Sequence, residues 1–427
     1  LLEIEIRTKE KAMKQPIFHV ITGLLAIGLV FGVNRAQAQA GSLDTTFGAG
    51  GIVTTVVGQS LTTLTAVEQS NGNLVVVGDF DVEGNINPNG RVFVLARYTS
   101  AGTLIGKTTA SFFTNGISTP AALALQSNGD IVVAGTAGPS INASTSFAVA
   151  RFTANGKLDT TFGTGGMVLT TPLGIFPTVS ALLVQPNGQI LVGGSTIPVN
   201  RRDPTSMVLV RYNSDGSLDT TFGTGGIVEA VTALASPAAL AQFSNGSYLA
   251  AGGSASVEFS STGVPQATVM PGKLVAGPTS GSVCCSPVLF QPNGDFLIAQ
   301  VGSGPGTGSV LENGNRTDVQ VSRFTELGTA NGVSPAFQFG GNTRNLAQAI
   351  ALQSNGQIVV GGSTGSTPTT GGLARLDSNL QLDTTFATGG SLLSQQFVTG
   401  LLIQKDGKIV AIGTINGNLV LERYLAK

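Results

Sequence analysis

The sequence predicts an all-β fold: a seven-bladed β-propeller with four antiparallel strands per blade, its ring closed by an N-terminal strand that completes the last blade. Three observations predict it. A Gln-x-Asn/Asp-Gly motif followed by an apolar run recurs seven times, with glycines at Gly72, Gly129, Gly188, Gly246, Gly294, Gly356 and Gly407. These glycines lie 48 to 62 residues apart, so seven units fill residues 41–427 and leave no room for a second domain. The ends of that span hold complementary halves of one unit. Leu43–Gly48 reads Leu-Asp-Thr-Thr-Phe-Gly with no Arg strand before it, and the Arg strand Leu419–Tyr424 has no Leu-Asp-Thr-Thr-Phe after it. Joining the two halves removes the sheet edges that an open stack would expose.

In chain order, residues 1–40 come first and differ from the rest. Arg7, Lys9, Lys11 and Lys14 precede an apolar run from Ile17 to Val33, which is followed by the small-x-small site Ala38-Gln39-Ala40. A basic segment, an apolar segment and a small-x-small site are the parts of a cleaved secretory signal, here with Met13 as its start. The run is short for a membrane span and contains Gly23, Gly28 and Gly32. The expectation is an exported protein, secreted, on the cell surface or in the periplasm, with no membrane span after cleavage. An uncleaved anchor helix is the alternative.

The first unit then reads as four strands. Gly51–Val57 is apolar and β-branched, Leu64–Gln69 alternates, Asn73–Gly78 is an apolar run and Val92–Tyr98 alternates again. Asn71-Gly72 lies between the second and third, where a two-residue type I′ hairpin turn is expected. The third strand is apolar on both faces, as in Leu74-Val75-Val76-Val77 and Ile131-Val132-Val133-Ala134. Such a run suits a sheet covered on both sides by neighbouring sheets. The fourth copy, Gln242-Phe243-Ser244-Asn245-Gly246, reads as carrying one extra residue.

A second signature follows the last strand of several units. Arg151, Arg211 and Arg375 each precede an Asp by eight residues: Asp159, Asp219 and Asp383, all within Leu-Asp-Thr-Thr-Phe. Arg423 would meet Asp44 through ring closure. Four interior Arg–Asp pairs are expected, each Asp also capping its own turn. Arg97 and Arg323 share the strand slot without an Asp.

The chain resembles the delta-60 repeat family of bacterial exported proteins. The resemblance is carried by Gln185-Pro186-Asn187-Gly188-Gln189-Ile190-Leu191-Val192-Gly193-Gly194 and by Val210-Arg211-Tyr212-Asn213-Ser214-Asp215-Gly216-Ser217-Leu218-Asp219-Thr220-Thr221-Phe222-Gly223. It covers roughly 41–427 and implies repeat-built propellers in exported proteins. It implies no particular chemistry. The stretches 101–116, 257–275 and 323–341 lack the Asp-Thr-Thr part.

Composition narrows the function classes. Lys+Arg total 22 and Asp+Glu 23, which argues against a nucleic-acid partner. The one histidine, His19, lies in the leader, so the mature chain has no Ser-His-Asp triad and no His-based zinc site. The segment Asp79-Phe80-Asp81-Val82-Glu83-Gly84-Asn85-Ile86-Asn87 departs from the repeat. It places oxygen side chains at Asp79, Asp81, Glu83, Asn85 and Asn87, a candidate calcium loop without the usual bidentate Glu. A solvated acidic hairpin is the other reading, and calcium is the only cofactor the sequence suggests. Cys284-Cys285 is the only thiol pair, read as a vicinal disulfide or as buried free thiols. Insertions vary most at 79–91, 136–146, 195–206 and 302–318, and loops on a rigid scaffold are where recognition resides. The expected function is a monomeric, non-catalytic binding scaffold for a protein or glycan partner. The alternative is a polysaccharide lyase or hydrolase using carboxylates among Glu229, Glu258, Asp295, Glu312, Asp318 and Glu326.

Overall fold

The computed structural model describes residues 39–427 apart from 57–63, 82–89, 115, 141–142, 173, 198–203, 233, 235, 253–254, 270–286, 303–317, 327, 341–344 and 366–369. The described residues form seven four-stranded antiparallel sheets and no helix. Blade one is Leu64–Glu68, Leu74–Asp81, Arg91–Tyr98 and Leu104–Ala110; blade three is Ile175–Val184, Ile190–Ile197, Ser206–Tyr212 and Ile227–Ala230. Blades two, four, five and six begin at Ile117, Ala239, Val288 and Asn345. Blade seven is Phe397–Ile403, Ile409–Ile415 and Asn418–Tyr424, and its fourth strand is Ile52–Thr55 from the other end of the chain. That strand pairs Ile52 with Glu422 and Thr55 with Leu419. The ring therefore closes as the complementary chain ends require, and the sheets run one strand out of frame with the sequence units.

The first strand of each blade packs on the first strand of the next, and the last of these contacts joins blade seven to blade one. The second strands explain why the apolar runs are unbroken. Val75, Val132, Leu191, Leu249, Leu297, Val359 and Val410 are buried, as are the residues beside them that face the other way. Burial is organised by seam: seven hydrophobic clusters each join side chains of two adjacent blades. Close packing of strands sets local composition too. A Cβ on Gly194 would stand 1.9 Å from the Thr178 carbonyl oxygen, so only glycine fits there.

The antiparallel order sends two kinds of connection to opposite ends of the ring. At one end the first-to-second turns are all alike. The Gly72 N–H donates to Gln69 O, the Gln69 N–H donates to Asn73 O, and the same pair of bonds recurs in all seven blades. The glycines have φ between +83° and +90°, but Asn71 and its counterparts do not have positive φ. The turn is thus a type I turn closed by a left-handed glycine, not the expected type I′. A type I′ pair occurs elsewhere, at Asn416-Gly417, where φ is +51° and +77°. In blade four Phe243 takes the Gln position and Gln242 ends the strand Ala239–Gln242, so there is no extra residue.

Blade seven's outer turn is assembled from both chain ends. The Gly41 N–H donates to Leu425 O and the Leu425 N–H donates to Ser42 O. In blade three the continuous turn makes the same bonds, Gly216 N–H to Asn213 O and Asn213 N–H to Ser217 O. Gly41 and Gly216 share positive φ, +84° and +90°.

Candidate functional site

The repeated polar residues build joints between blades. Arg151, Arg211 and Arg375 each bring Nε to within 2.7–2.8 Å of the Oδ2 of Asp159, Asp219 and Asp383. The other oxygen of each Asp accepts from a threonine two residues on, as Thr221 Oγ1 (2.6 Å) and the Thr221 N–H (3.0 Å) do at Asp219. In blade seven, Arg423 Nη2 stands 2.9 Å from Asp44 Oδ2, and Lys408 Nζ adds a second cation at 3.2 Å. All four predicted pairs are present. Burial alone would raise the Asp44 carboxyl; the Thr46 hydroxyl and N–H, Lys408 and Arg423 outweigh it and bring it down to about 2. The same contest lowers Asp159, Asp219 and Asp383.

Each guanidinium also reaches across the seam. Arg97 donates to Asn155 O (2.6 Å), Arg211 to Ser261 O (2.6 Å), Arg323 to Ser378 O (2.7 Å) and Arg375 to Ala426 O (2.6 Å). Arg151 donates to Ser214 O and Arg423 to Ser100 O. In each case the acceptor belongs to the outer turn of the next blade. The phenylalanine three residues after the Asp, in the arginine's own blade, completes the joint. Phe47, Phe162, Phe222 and Phe386 are fully buried, and the guanidiniums of Arg423, Arg151, Arg211 and Arg375 lie 4.5–4.8 Å from their ring centroids. Six seams thus carry an arginine. At the seventh, between blades four and five, the slot opposite Leu249 holds Glu258, which accepts from Ser247 Oγ.

A groove of about 760 Å³ lies where Thr161, Gly163 and Met167 of blade two meet Asp215 and Ser217 of blade three. Asp215 is the one charged residue lining it. The Ser217 hydroxyl and N–H hold its carboxyl below the usual carboxylate range. The groove belongs to a joint and assembles no pair of catalytic acids.

The opposite end of the ring carries the blade-specific loops. Second-to-third connections range from 416–417 in blade seven to 303–317 in blade five, whereas at the other end the first-to-second turns are uniform and the third-to-fourth connections take two forms, short as at 99–103 or extended as at 153–166. The sequence-marked insertions 79–91, 136–146, 195–206 and 302–318 all emerge there. Of the candidate calcium ligands, Asp79 is fully buried and its Oδ2 lies 3.2 Å from Arg91 Nη1. A cation at this loop must compete with that guanidinium. The Asp81 side chain and Glu83, Asn85 and Asn87 lie outside the described residues, as do Cys284, Cys285 and Glu312. Among the described residues no group of three His, Cys, Asp or Glu side chains is placed to hold a metal.

The candidate enzyme acids are spread out. Asp295 closes the first-to-second turn of blade five, Glu326 lies in that blade's third-to-fourth turn, and Glu258 sits in the arginine slot of blade four. Glu229 is on the outer strand of blade three, and Asp318 opens the third strand of blade five at the loop end. One acid was missed: Glu422, fully buried, accepts from Ser394 Oγ (2.7 Å), the Gln395 N–H (3.2 Å) and Tyr424 Oη. Its counterparts in other blades are Val210 and Ala374, so its position in the repeat gave no warning.

Comparison with known proteins agrees with the repeat architecture. Residues 126–162, 185–222 and 353–386 match the model of a family described as a domain of unknown function (DUF5122) β-propeller. Each match runs from a Gln turn to the Phe of Leu-Asp-Thr-Thr-Phe. Blade seven, whose unit is divided between the chain ends, is outside them. No curated protein matches the chain. Among solved structures, a protein of unknown function from Bacteroides caccae is similar at 13% identity and TM-score 0.41, covering 71% of this chain and 95% of that one. One from Dyadobacter fermentans is similar at 12% and 0.46, covering 88% and 100%. The GH93 α-L-arabinofuranosidase of Fusarium graminearum is similar at 14% and 0.45, covering 88% and 98%. The chain is a propeller repeat protein.

Proposed function

We propose that this is an exported propeller of the delta-60 repeat type that acts as a non-catalytic binding scaffold, with recognition on the loop end of the ring. One observation carries the reading: the two ends of the ring differ in kind. Uniform first-to-second turns, arginine joints and third-to-fourth connections of only two forms occupy one end, and every second-to-third loop, each of its own length and sequence, occupies the other. Variation concentrated on one face of a rigid frame is how a scaffold presents different contacts without disturbing its fold. The strands nearest the axis support the same reading. Among the described residues their one acid is Glu68, whose Oε2 accepts from the Lys405 N–H of the neighbouring turn (2.7 Å). A retaining or inverting glycosidase needs two carboxylates facing one bond.

The test is a glycan and extracellular-matrix protein array probed with the mature protein. A second protein has the connecting residues 139–145 and 198–205 each replaced by a two-residue Asn-Gly turn like that of blade seven, with the flanking strands kept. Binding by the first and loss by the second, at an unchanged melting midpoint, is the expected result. Binding that survives both truncations, or no binding by the first protein, refutes the reading.

A further inference from the structure

We infer that the exported chain is processed between Ala38 and Gln39, so that Gln39 and Ala40 remain in the mature protein as the missing half of blade seven's outer turn. This rests on the export reading above. Small-x-small is satisfied twice in the leader's end, by Ala38-Gln39-Ala40 and by Ala36-Gln37-Ala38, and sequence pattern alone does not choose between them. The fold does. In the joint between blades two and three the Gly163 N–H donates to Asp215 O; between blades three and four the Gly223 N–H donates to Thr262 O; between blades seven and one the Gly48 N–H donates to Ala101 O. The corresponding donor between blades six and seven is the Ala387 N–H, and its acceptor is Ala40 O at 2.8 Å.

Ala40 therefore occupies the place that Asp215, Thr262 and Ala101 occupy in unbroken turns. It is buried at 8% exposure and belongs to the cluster of Phe386 and Tyr424. Gln39 contributes twice more. Its carbonyl accepts from the Ser42 N–H (3.0 Å), and its side-chain amide donates to Ala387 O (2.6 Å). Cutting after Ala40 would remove all three bonds and leave the Ala387 N–H without its acceptor at the one joint where the polypeptide is interrupted. Cutting after Ala38 leaves them intact. The step is an amide hydrolysis: one water adds across the Ala38–Gln39 bond, the leader leaves with the Ala38 carboxylate and Gln39 keeps the α-amine.

The experiment is expression of the full chain with its own leader in a secreting bacterium, followed by intact-mass measurement of the exported fraction. A product beginning at Gln39, or the same product lighter by one ammonia after cyclisation of its N-terminal glutamine, is expected. A product beginning at Gly41 overturns the inference and leaves the export reading standing. An uncleaved chain retained by the cell overturns both. Two substitutions separate the sites further. Ala36→Gln, which touches only the Ala36-Gln37-Ala38 site, should abolish the product beginning at Gln39, whereas Ala40→Gln should leave that cleavage in place. The reverse pattern overturns the inference.

Discussion

Arg211 Nε and Asp219 Oδ2 stand 2.7 Å apart inside blade three, while Nη1 of the same guanidinium donates to Ser261 O of blade four. One side chain thus ties its own loop to its own strand and its blade to the next. Both residues are nearly buried, so the pair sits where a lone charge is poorly tolerated. Asp219→Ala is expected to destabilise the protein by roughly 3–5 kcal/mol, the range for stranding one member of a buried ion pair. Replacing both, Arg211→Met with Asp219→Leu, should recover part of that loss. Denaturant melts of the three proteins provide the check. A single mutant with an unchanged midpoint would show that the pair is ornamental.

Acid should weaken the ring through the same aspartates. Their carboxyls are lower in the folded protein than in the unfolded chain, so the folded state binds fewer protons. Their contribution is complete above the unfolded value and is lost as pH falls through the folded one. For Asp44 the window runs from its ordinary 3.8 down to about 2 and represents about 2 kcal/mol. Melting midpoints should fall steeply over that interval. In Asp44→Asn the Asp44 share of the slope should disappear.

Ala387 adopts φ +50° in the position where Gly48, Gly163 and Gly223 have +53° or +54°. A side chain in the left-handed region is strained, and glycine relieves it at some expense in unfolded-chain entropy. Ala387→Gly is expected to raise stability by about 0.5–1 kcal/mol. The converse, Gly163→Ala, should lower it, since its Cβ would lie 2.4 Å from Val168 Cγ2. Thermal melts of the two variants should move in opposite directions.

Blades four and five meet without an arginine, and their cluster has the fewest buried members: Leu249, Ala251, Phe296, Ile298 and Phe324 among the described residues. Local opening follows the least supported contact. Amide exchange in the strands Tyr248–Ala251 and Phe296–Gly302 should be faster than in Ile190–Ile197 and Ile131–Gly138. Equal protection across the four strands would remove the distinction between seams.

Much of this was legible in the residues. The blade count follows from seven glycines, and the Arg–Asp pairs follow from an eight-residue interval that spans one strand end and one turn. The closure of Arg423 on Asp44 follows from the split unit. What lay across each seam was not legible, because it depends on which turn the ring brings opposite. The carbonyl oxygens of Ser261 and Ala426 therefore had no signature. Asn71-Gly72 misled for a local reason: the dipeptide suits both a type I′ pair and a type I turn with a left-handed glycine, and the strand register decides between them. Gln242-Phe243 misleads because Gln242 repeats the residue type one position early, whereas Phe243 takes the place of Gln185 in the turn. Lys408 and Glu258 fill slots held elsewhere by Gln189 and Arg211, which is visible only once the sheets are superposed. The end of the ring from which the insertions emerge was legible and their chemistry was not, since the insertions do not repeat.

The interrupted turn of blade seven has a practical corollary. Gly41 and Leu425 are paired at the end of the ring that carries the uniform first-to-second turns, opposite the second-to-third loops. A linker or solid support attached there would hold the molecule by its invariant side and leave its changeable side facing the sample. Joining residues 39 and 427 with a short peptide, and opening the ring at another of the equivalent turns, would yield rotated versions of the same fold.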